Sequence, residues 1–123
     1  MEKMLNILVV DDNSSMRTLL QDILHLFGFE VRLAENGCEA LKKISEKIPD
    51  VVITDWQMPG MSGIELIKKI KSSYPDSDIG IILMSSEDIK KEAIEAGADD
   101  FIHKPFHPHH LLTKLKKFTA LLD

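Results

Sequence analysis

Two spacings of apolar residues alternate along the chain. Short aliphatic runs fall at residues 5–10, 30–34, 51–54, 79–84 and 101–103, each the length of a β-strand. Residues 7–10 and 79–84 are apolar at successive positions rather than alternate ones, the pattern of strands covered on both faces. Between the runs, apolar residues return every third or fourth position, which gathers them on one side of a helix. The first such stretch is Met16, Leu19, Leu20, Ile23, Leu24 and Phe27, stopped by Gly28, a residue free to take positive φ. The second carries Ala40, Leu41, Ile44 and Ile48, with Pro49 behind it. The third opens on Ser62-Gly63-Ile64-Glu65, the spacing of a capping box, and continues through Ile67 and Ile70 to stop before Pro75. The fourth is short, residues 87–96, and is closed by Gly97. The fifth starts at Pro108, which suits a first helical position, and runs through Leu111, Leu112, Leu115, Phe118 and Leu122.

Five strands alternating with five helices predict an α/β fold, a parallel sheet with helices on both faces. With 123 residues and no repeat or linker, the chain reads as one domain, residues 1–123. A composition of 44% hydrophobic and 28% charged residues excludes a disordered chain. The single cysteine, Cys38, excludes an internal disulfide and fits a reducing compartment. Net charge is −5, with the acids concentrated in residues 1–100. Such a body is a poor electrostatic match for nucleic acid. No apolar run approaches the roughly 20 residues of a membrane span, and no leader pattern opens the chain. The expectation is a cytoplasmic protein that binds neither nucleic acid nor membrane.

Ligands of open parallel sheets bind at the carboxyl ends of the strands. The residues just past each predicted strand are therefore informative. Asp11 and Asp12 come after the first, Asp55-Trp56-Gln57 after the third, Ser85-Ser86 after the fourth and Lys104-Pro105 after the fifth. Three carboxylates, one or two hydroxyls and a lysine thus converge on one edge. Clustered carboxylates repel, and the remedy is a shared proton or a cation. Hard oxygen ligands with room for water suit Mg²⁺. A metal and Lys104 together would neutralise a phosphoryl group while a hydroxyl bonds one of its oxygens. A carboxylate is also a competent nucleophile toward phosphorus. Asp55 stands alone after a central strand and is the candidate nucleophile, whereas adjacent Asp11 and Asp12 read as a metal-binding pair.

These residues, with Ile7-Leu8-Val9-Val10-Asp11-Asp12, Asp55 through Gly63, Ser85, Ala96-Gly97-Ala98-Asp99-Asp100 and Lys104-Pro105-Phe106, give a chain that resembles the receiver domain of two-component response regulators. The resemblance implies a flavodoxin-like five-stranded parallel sheet of order 2-1-3-4-5, sandwiched by five helices. It implies that Asp55 accepts a phosphoryl group from a phosphohistidine of a histidine kinase or phosphotransfer protein. It assigns Mg²⁺ to Asp12, Asp55 and the Gln57 carbonyl, with Asp11 acting through water. Ser85 matches the hydroxyl that bonds the phosphoryl group and moves toward it. Lys104 matches the phosphate-pairing lysine, its bond to Pro105 the family's cis peptide, and Phe101 the aromatic switch residue. By the same resemblance the output surface is the fourth helix, fifth strand and fifth helix, and the protein is a monomer or a weak phosphorylation-dependent dimer. The domain is then a signalling module that catalyses only its own phosphorylation and dephosphorylation.

The chain ends after the fifth helix, so the expectation is a stand-alone receiver, and local strings are similar to the chemotaxis response regulator. The segment from Ser85 to Gly97 is short for the family, which counts against a motor-binding surface and leaves a phosphorelay intermediate or an unphosphorylated docking scaffold as alternatives. A phosphatase of the haloacid-dehalogenase type wants a second aspartate where Gln57 stands. A nucleotide carrier would place phosphate against Asp11 and Asp12, which repel it. His103, His107, His109 and His110 match no compact metal motif. Cys38, Trp56, Met58 and Met61 read as packing or surface residues, and the Lys90-Lys91 and Lys116-Lys117 pairs as solvated helix faces.

Overall fold

The structure is a computed structural model that describes residues 4–119. Ten elements alternate without exception: β1 (Asn6–Val10), α1 (Ser14–Leu26), β2 (Glu30–Ala34), α2 (Gly37–Glu46), β3 (Val51–Asp55), α3 (Gly63–Ser73), β4 (Gly80–Ser85), α4 (Lys90–Ala96), β5 (Asp100–His103) and α5 (Pro108–Thr119). The strands form one parallel sheet in the order β2-β1-β3-β4-β5. Every residue of β1, β3 and β4 is buried, which is why these runs carry no polar alternation. Among the described residues no helix is long and apolar enough to cross a membrane.

Side chains of a strand point to opposite faces in turn, so the sheet divides the core in two. Ile7 and Val9 pack with Leu20 and Leu24 of α1 and with Leu111, Leu115 and Phe118 of α5. Leu8 and Val10 pack with Ala40 and Ile44 of α2, Leu66, Ile67 and Ile70 of α3, and Ala93 of α4. Each large aliphatic side chain so buried stabilises the fold by roughly 1.5–3 kcal/mol. At the start of β4 the Phe118 ring occupies the place where a side chain on Gly80 would begin, so α5 lies directly on that strand.

Four expectations change. Leu19 is 50% exposed; it sits on the flank of α1 and lines the cleft at the strand ends instead of the core. Ile48 lies beyond α2, which ends at Glu46, and is 54% exposed; Arg32 caps the α2 carboxyl end through the Lys43 and Lys47 carbonyls. α4 begins at Lys90 rather than Glu87, because Glu87 turns its N–H back onto the Ser85 hydroxyl. Lys117 is not merely solvated: its ammonium lies 2.8 Å from Asp100. Leu122 lies outside the described residues.

Asp100 ties β5 to α5. Its carboxylate meets Lys114 at 3.1 Å and Lys117 at 2.8 Å and accepts the Phe101 N–H at 2.8 Å. Burial alone would raise its pKa; the Lys117 bond, the Phe101 N–H and Lys114 together outweigh that and lower it to about 2. A depressed carboxylate stabilises the fold fully above its unfolded value near 4, and the contribution disappears as pH falls toward 2. Asp100→Asn is therefore expected to lower unfolding free energy at neutral pH by about 1–2 kcal/mol, given partial screening. In urea titrations the gap to wild type should narrow between about pH 4 and about pH 2; a gap independent of pH would contradict this account.

Candidate functional site

The site assembles at the carboxyl ends of β1, β3, β4 and β5. Asp11 directly follows β1 and is held on three sides. Its N–H donates to the Ala34 carbonyl at 3.1 Å, its carbonyl accepts Arg17 Nη1 at 2.8 Å, and its Oδ1 accepts the Asn13 N–H at 2.9 Å. Asn13 is also the N-cap of α1, its side chain accepting the Met16 N–H at 2.9 Å, so one residue starts the helix and orients the carboxylate. Asp12 is exposed.

Asp55 ends β3. Gly63 lets α3 begin on top of it, since a Cβ there would fall on the Asp55 carbonyl oxygen. The Ser62 hydroxyl accepts the Glu65 N–H at 3.1 Å, the serine half of the expected capping box. Lys104 follows β5, and its N–H donates to the Ser85 carbonyl at 2.8 Å. The Lys104–Pro105 peptide is cis. Lys104 Nζ lies 2.8 Å from Asp55 Oδ1 and 3.8 Å from Asp11 Oδ2. Oxygens of Asp11, Asp12 and Asp55 all lie within 4.8 Å of one another.

Charge is unbalanced in this cluster. Three carboxylates face one ammonium. Burial pushes the Asp11 carboxyl above its ordinary pKa; the Asn13 N–H opposes the shift and the Asp55 charge adds to it. Asp11 Oδ2 is buried and accepts no hydrogen bond. Lys104 Nζ, at 3.8 Å, is close enough to attract this oxygen but not to hydrogen-bond it, and beside two further carboxylates a closer cation would relieve the remaining cost. This orphan oxygen, with an all-oxygen donor set, fits a small hard divalent ion. A cleft lined by Asp11, Asp12, Asn13, Ser15, Met16, Leu19, Asp55 and Lys104 leads to the trio, in which Asp12 is exposed and Asp11 and Asp55 are buried.

The remaining candidates surround it. Ser85 is buried, and its Oγ accepts the Glu87 N–H at 2.9 Å, which leaves the hydroxyl proton available to an acceptor. Gln57 is exposed on the loop after β3, where it lines a shallow pocket with Trp56, Met58, Pro59 and Ser62. Phe101 is buried against the core on the α2–α3–α4 side of the sheet, paired in register with Leu83. Its ring meets His103 edge-on at 6.5 Å between centroids. His107 and His109 stack on each other at 5.2 Å. Among the described residues the one grouping of three metal-type side chains is the aspartate trio. Cys38 is exposed. Asn13 and Arg17 gained no role from the sequence. The N-cap spacing of Asn13 before Met16 was a usable signal; for Arg17, folding its side chain back onto a carbonyl, there was none.

Residues 7–116 match the model of the response regulator receiver domain, and the chain belongs to that family of two-component signalling proteins. It is similar to the chemotaxis protein CheY of Thermotoga maritima, 43% identical over 113 residues that cover 90% of this chain and 94% of the relative. It is similar also to the phosphate regulon transcriptional regulatory protein PhoB of Pseudomonas aeruginosa, 41% identical over 113 residues, 89% of this chain and 49% of that protein. The chain thus spans about half of that relative's length. Among solved structures, chemotaxis response regulator CheY4 of Vibrio cholerae superposes with a TM-score of 0.85 at 35% identity, covering 94% of this chain and 99% of that one. A chain of the co-crystal of the Saccharomyces cerevisiae histidine phosphotransfer protein Ypd1 with the receiver domain of Ssk1 gives a TM-score of 0.89 at 25% identity, covering 96% and 90%. The fold is the flavodoxin-like receiver fold.

The Gly63 contact yields a direct expectation. Gly63→Ala has to push the start of α3 away from the Asp55 carbonyl, at a cost of about 1–3 kcal/mol. Denaturant unfolding of the variant measures it; unchanged stability would show that α3 does not bear on the strand end.

Proposed function

We propose that this receiver, residues 1–123, works by phosphorylation of Asp55 from a phosphohistidine of a histidine kinase or histidine phosphotransfer protein. An Asp55 carboxylate oxygen forms the new bond to phosphorus. The phosphorus–nitrogen bond breaks, and its electron pair leaves on the imidazole, which takes up a proton. The observation that carries this reading is the placement of Lys104 Nζ 2.8 Å from Asp55 Oδ1, beside three carboxylates whose oxygens lie within 4.8 Å. A carboxylate in so acidic a pocket needs fixed positive charge to approach a phosphoryl group, and most of the catalysis is positioning and charge neutralisation. Asp11, Asp12, Asp55 and the Gln57 carbonyl would hold Mg²⁺, which when bound supplies neutralising charge to the phosphoryl oxygens. The partner class is supported by the similarity to a receiver solved with its histidine phosphotransfer protein.

The phosphoryl group carries about −1.5 to −2 charge and three acceptor oxygens where the free Asp55 carboxylate carried a single negative charge. Lys104 exchanges its carboxylate partner for a phosphoryl oxygen, and the Ser85 hydroxyl donates to another. The arrangement that brings both donors onto the group gains population by that difference in contact energy and no more. Phe101, buried beside the β4 strand that carries Ser85, is the aromatic switch, and the α4–β5–α5 face is the output surface for a downstream protein. The domain signals from the cytoplasm, turns over no external substrate, binds neither nucleic acid nor membrane, and is a monomer or a weak dimer when phosphorylated. Similarity to chemotaxis proteins supports a chemotaxis pathway. The seven-residue α4, which starts without a side-chain cap, favours a phosphorelay role or docking scaffold as the second reading, because it narrows the surface a motor protein would grip.

With a small phosphodonor and Mg²⁺, wild type should gain one acid- and base-labile phosphoryl group. Asp55→Asn should gain none, and Asp12→Ala should bind Mg²⁺ at least about tenfold more weakly. Label retained by Asp55→Asn, in intact-mass and radiolabel measurements, would dismiss Asp55 as the acceptor. Lys104→Ala should keep Mg²⁺ binding yet lose the phosphorylation-dependent gain in partner affinity. An equal gain in the variant and wild type would remove Lys104 from the switch.

A further inference from the structure

Asp12 is the least restrained member of the trio. It is exposed, and among the described residues no hydrogen bond or ion pair reaches its carboxylate. Its direction is set by the backbone that carries it, and first by the peptide linking it to Asp11. That peptide is clamped at its oxygen: Arg17 Nη1 donates to the Asp11 carbonyl at 2.8 Å. Arg17 reaches back from α1, where its own N–H bonds the Asn13 carbonyl at 3.0 Å. Its side chain is only 18% exposed, and its second arm stands 3.9 Å from Glu35. Glu35 follows Ala34, whose carbonyl receives the Asp11 N–H. The acidic loop is thus closed on itself by one guanidinium.

We propose that Arg17 is a positioning residue for the divalent-cation site, holding the Asp11–Asp12 peptide plane so that the Asp12 carboxylate points into the cluster. The proposal rests on the reading of the trio as a Mg²⁺ site. It has a distinctive sign. As a mere positive charge near three carboxylates, Arg17 repels a cation, and its removal should tighten binding. As a positioning group it preorganises a ligand, and its removal should weaken binding despite the favourable change in charge. Glu35, far more exposed and at the edge of contact, contributes little to either effect.

Mg²⁺ titrations of the whole chain, followed by calorimetry, separate these cases. Arg17→Ala is expected to weaken Mg²⁺ binding roughly three- to tenfold, Arg17→Lys to recover most of the loss by restoring a donor to the Asp11 carbonyl, and Glu35→Gln to match wild type. Thermal unfolding without metal checks that the variants remain folded. If Arg17→Ala does not fold, Arg17→Met, which keeps the stem and loses the donor, decides instead: it should weaken Mg²⁺ binding as Arg17→Ala would and shift the Asp12 amide resonance, which Glu35→Gln should leave in place. Affinity equal to or tighter than wild type in Arg17→Ala or Arg17→Met, or an unmoved Asp12 amide in Arg17→Met, overturns the inference. Absence of saturable Mg²⁺ binding by wild type defeats the underlying site assignment instead.

Discussion

The site is governed by an imbalance of charge. Asp11, Asp12 and Asp55 converge within a few ångströms, and among the described residues Lys104 is the cation that stands between them. Left as it is, the arrangement is strained: Asp11 is forced toward its neutral form and one of its oxygens has no hydrogen-bond partner. A molecule does not keep such a group buried for stability, because an apolar residue of similar size would do better. The cluster is instead suited to exchange partners. On the proposed function a cation would relieve the repulsion among the acids, and a phosphoryl group would offer Lys104 a stronger anion than a carboxylate.

The sheet makes this concentration of charge tolerable. β1, β3 and β4 are buried on both faces, and their dense aliphatic packing fixes the positions from which Asp11, Asp55 and Ser85 emerge. Three different strands therefore deliver polar groups to one place without any of them having to order a loop. Where loops intervene, short local bonds take over: Asn13 on Asp11, Arg17 on the Asp11 carbonyl, and the Lys104 N–H on Ser85. The price of function is confined to a few side chains at the rim.

Strand positions were legible in the sequence to within a residue, because fully buried parallel strands leave a continuous aliphatic signature. The trio and Lys104 were legible for a related reason: topology sends strand ends to a common edge, so residues distant in sequence could be placed together before any coordinates. Helix limits were less so. Ile48 continued the α2 period, yet Arg32, from a neighbouring strand, ends the helix earlier. Leu19 kept the α1 period but lies at the margin of the packed stripe, where the cleft opens. Glu87 had helical company in sequence and is instead captured by the Ser85 hydroxyl. In each case a tertiary or side-chain bond or the edge of the packed face overrode a local preference, and such features carry no periodicity. Arg17 was hidden for the same reason, since its partner is a backbone oxygen.

The bond between the Ser85 hydroxyl and the Glu87 N–H has a mechanical consequence. The serine is hinged to the loop that leads into α4, so displacing its oxygen drags the first turn of that loop or tears it loose. Five residues after Ser85, α4 starts at Lys90 with no side-chain hydrogen bond capping its first turn. On the proposed function the linkage would act as a short crank, with little chain between the stroke at the strand end and the helix beyond it.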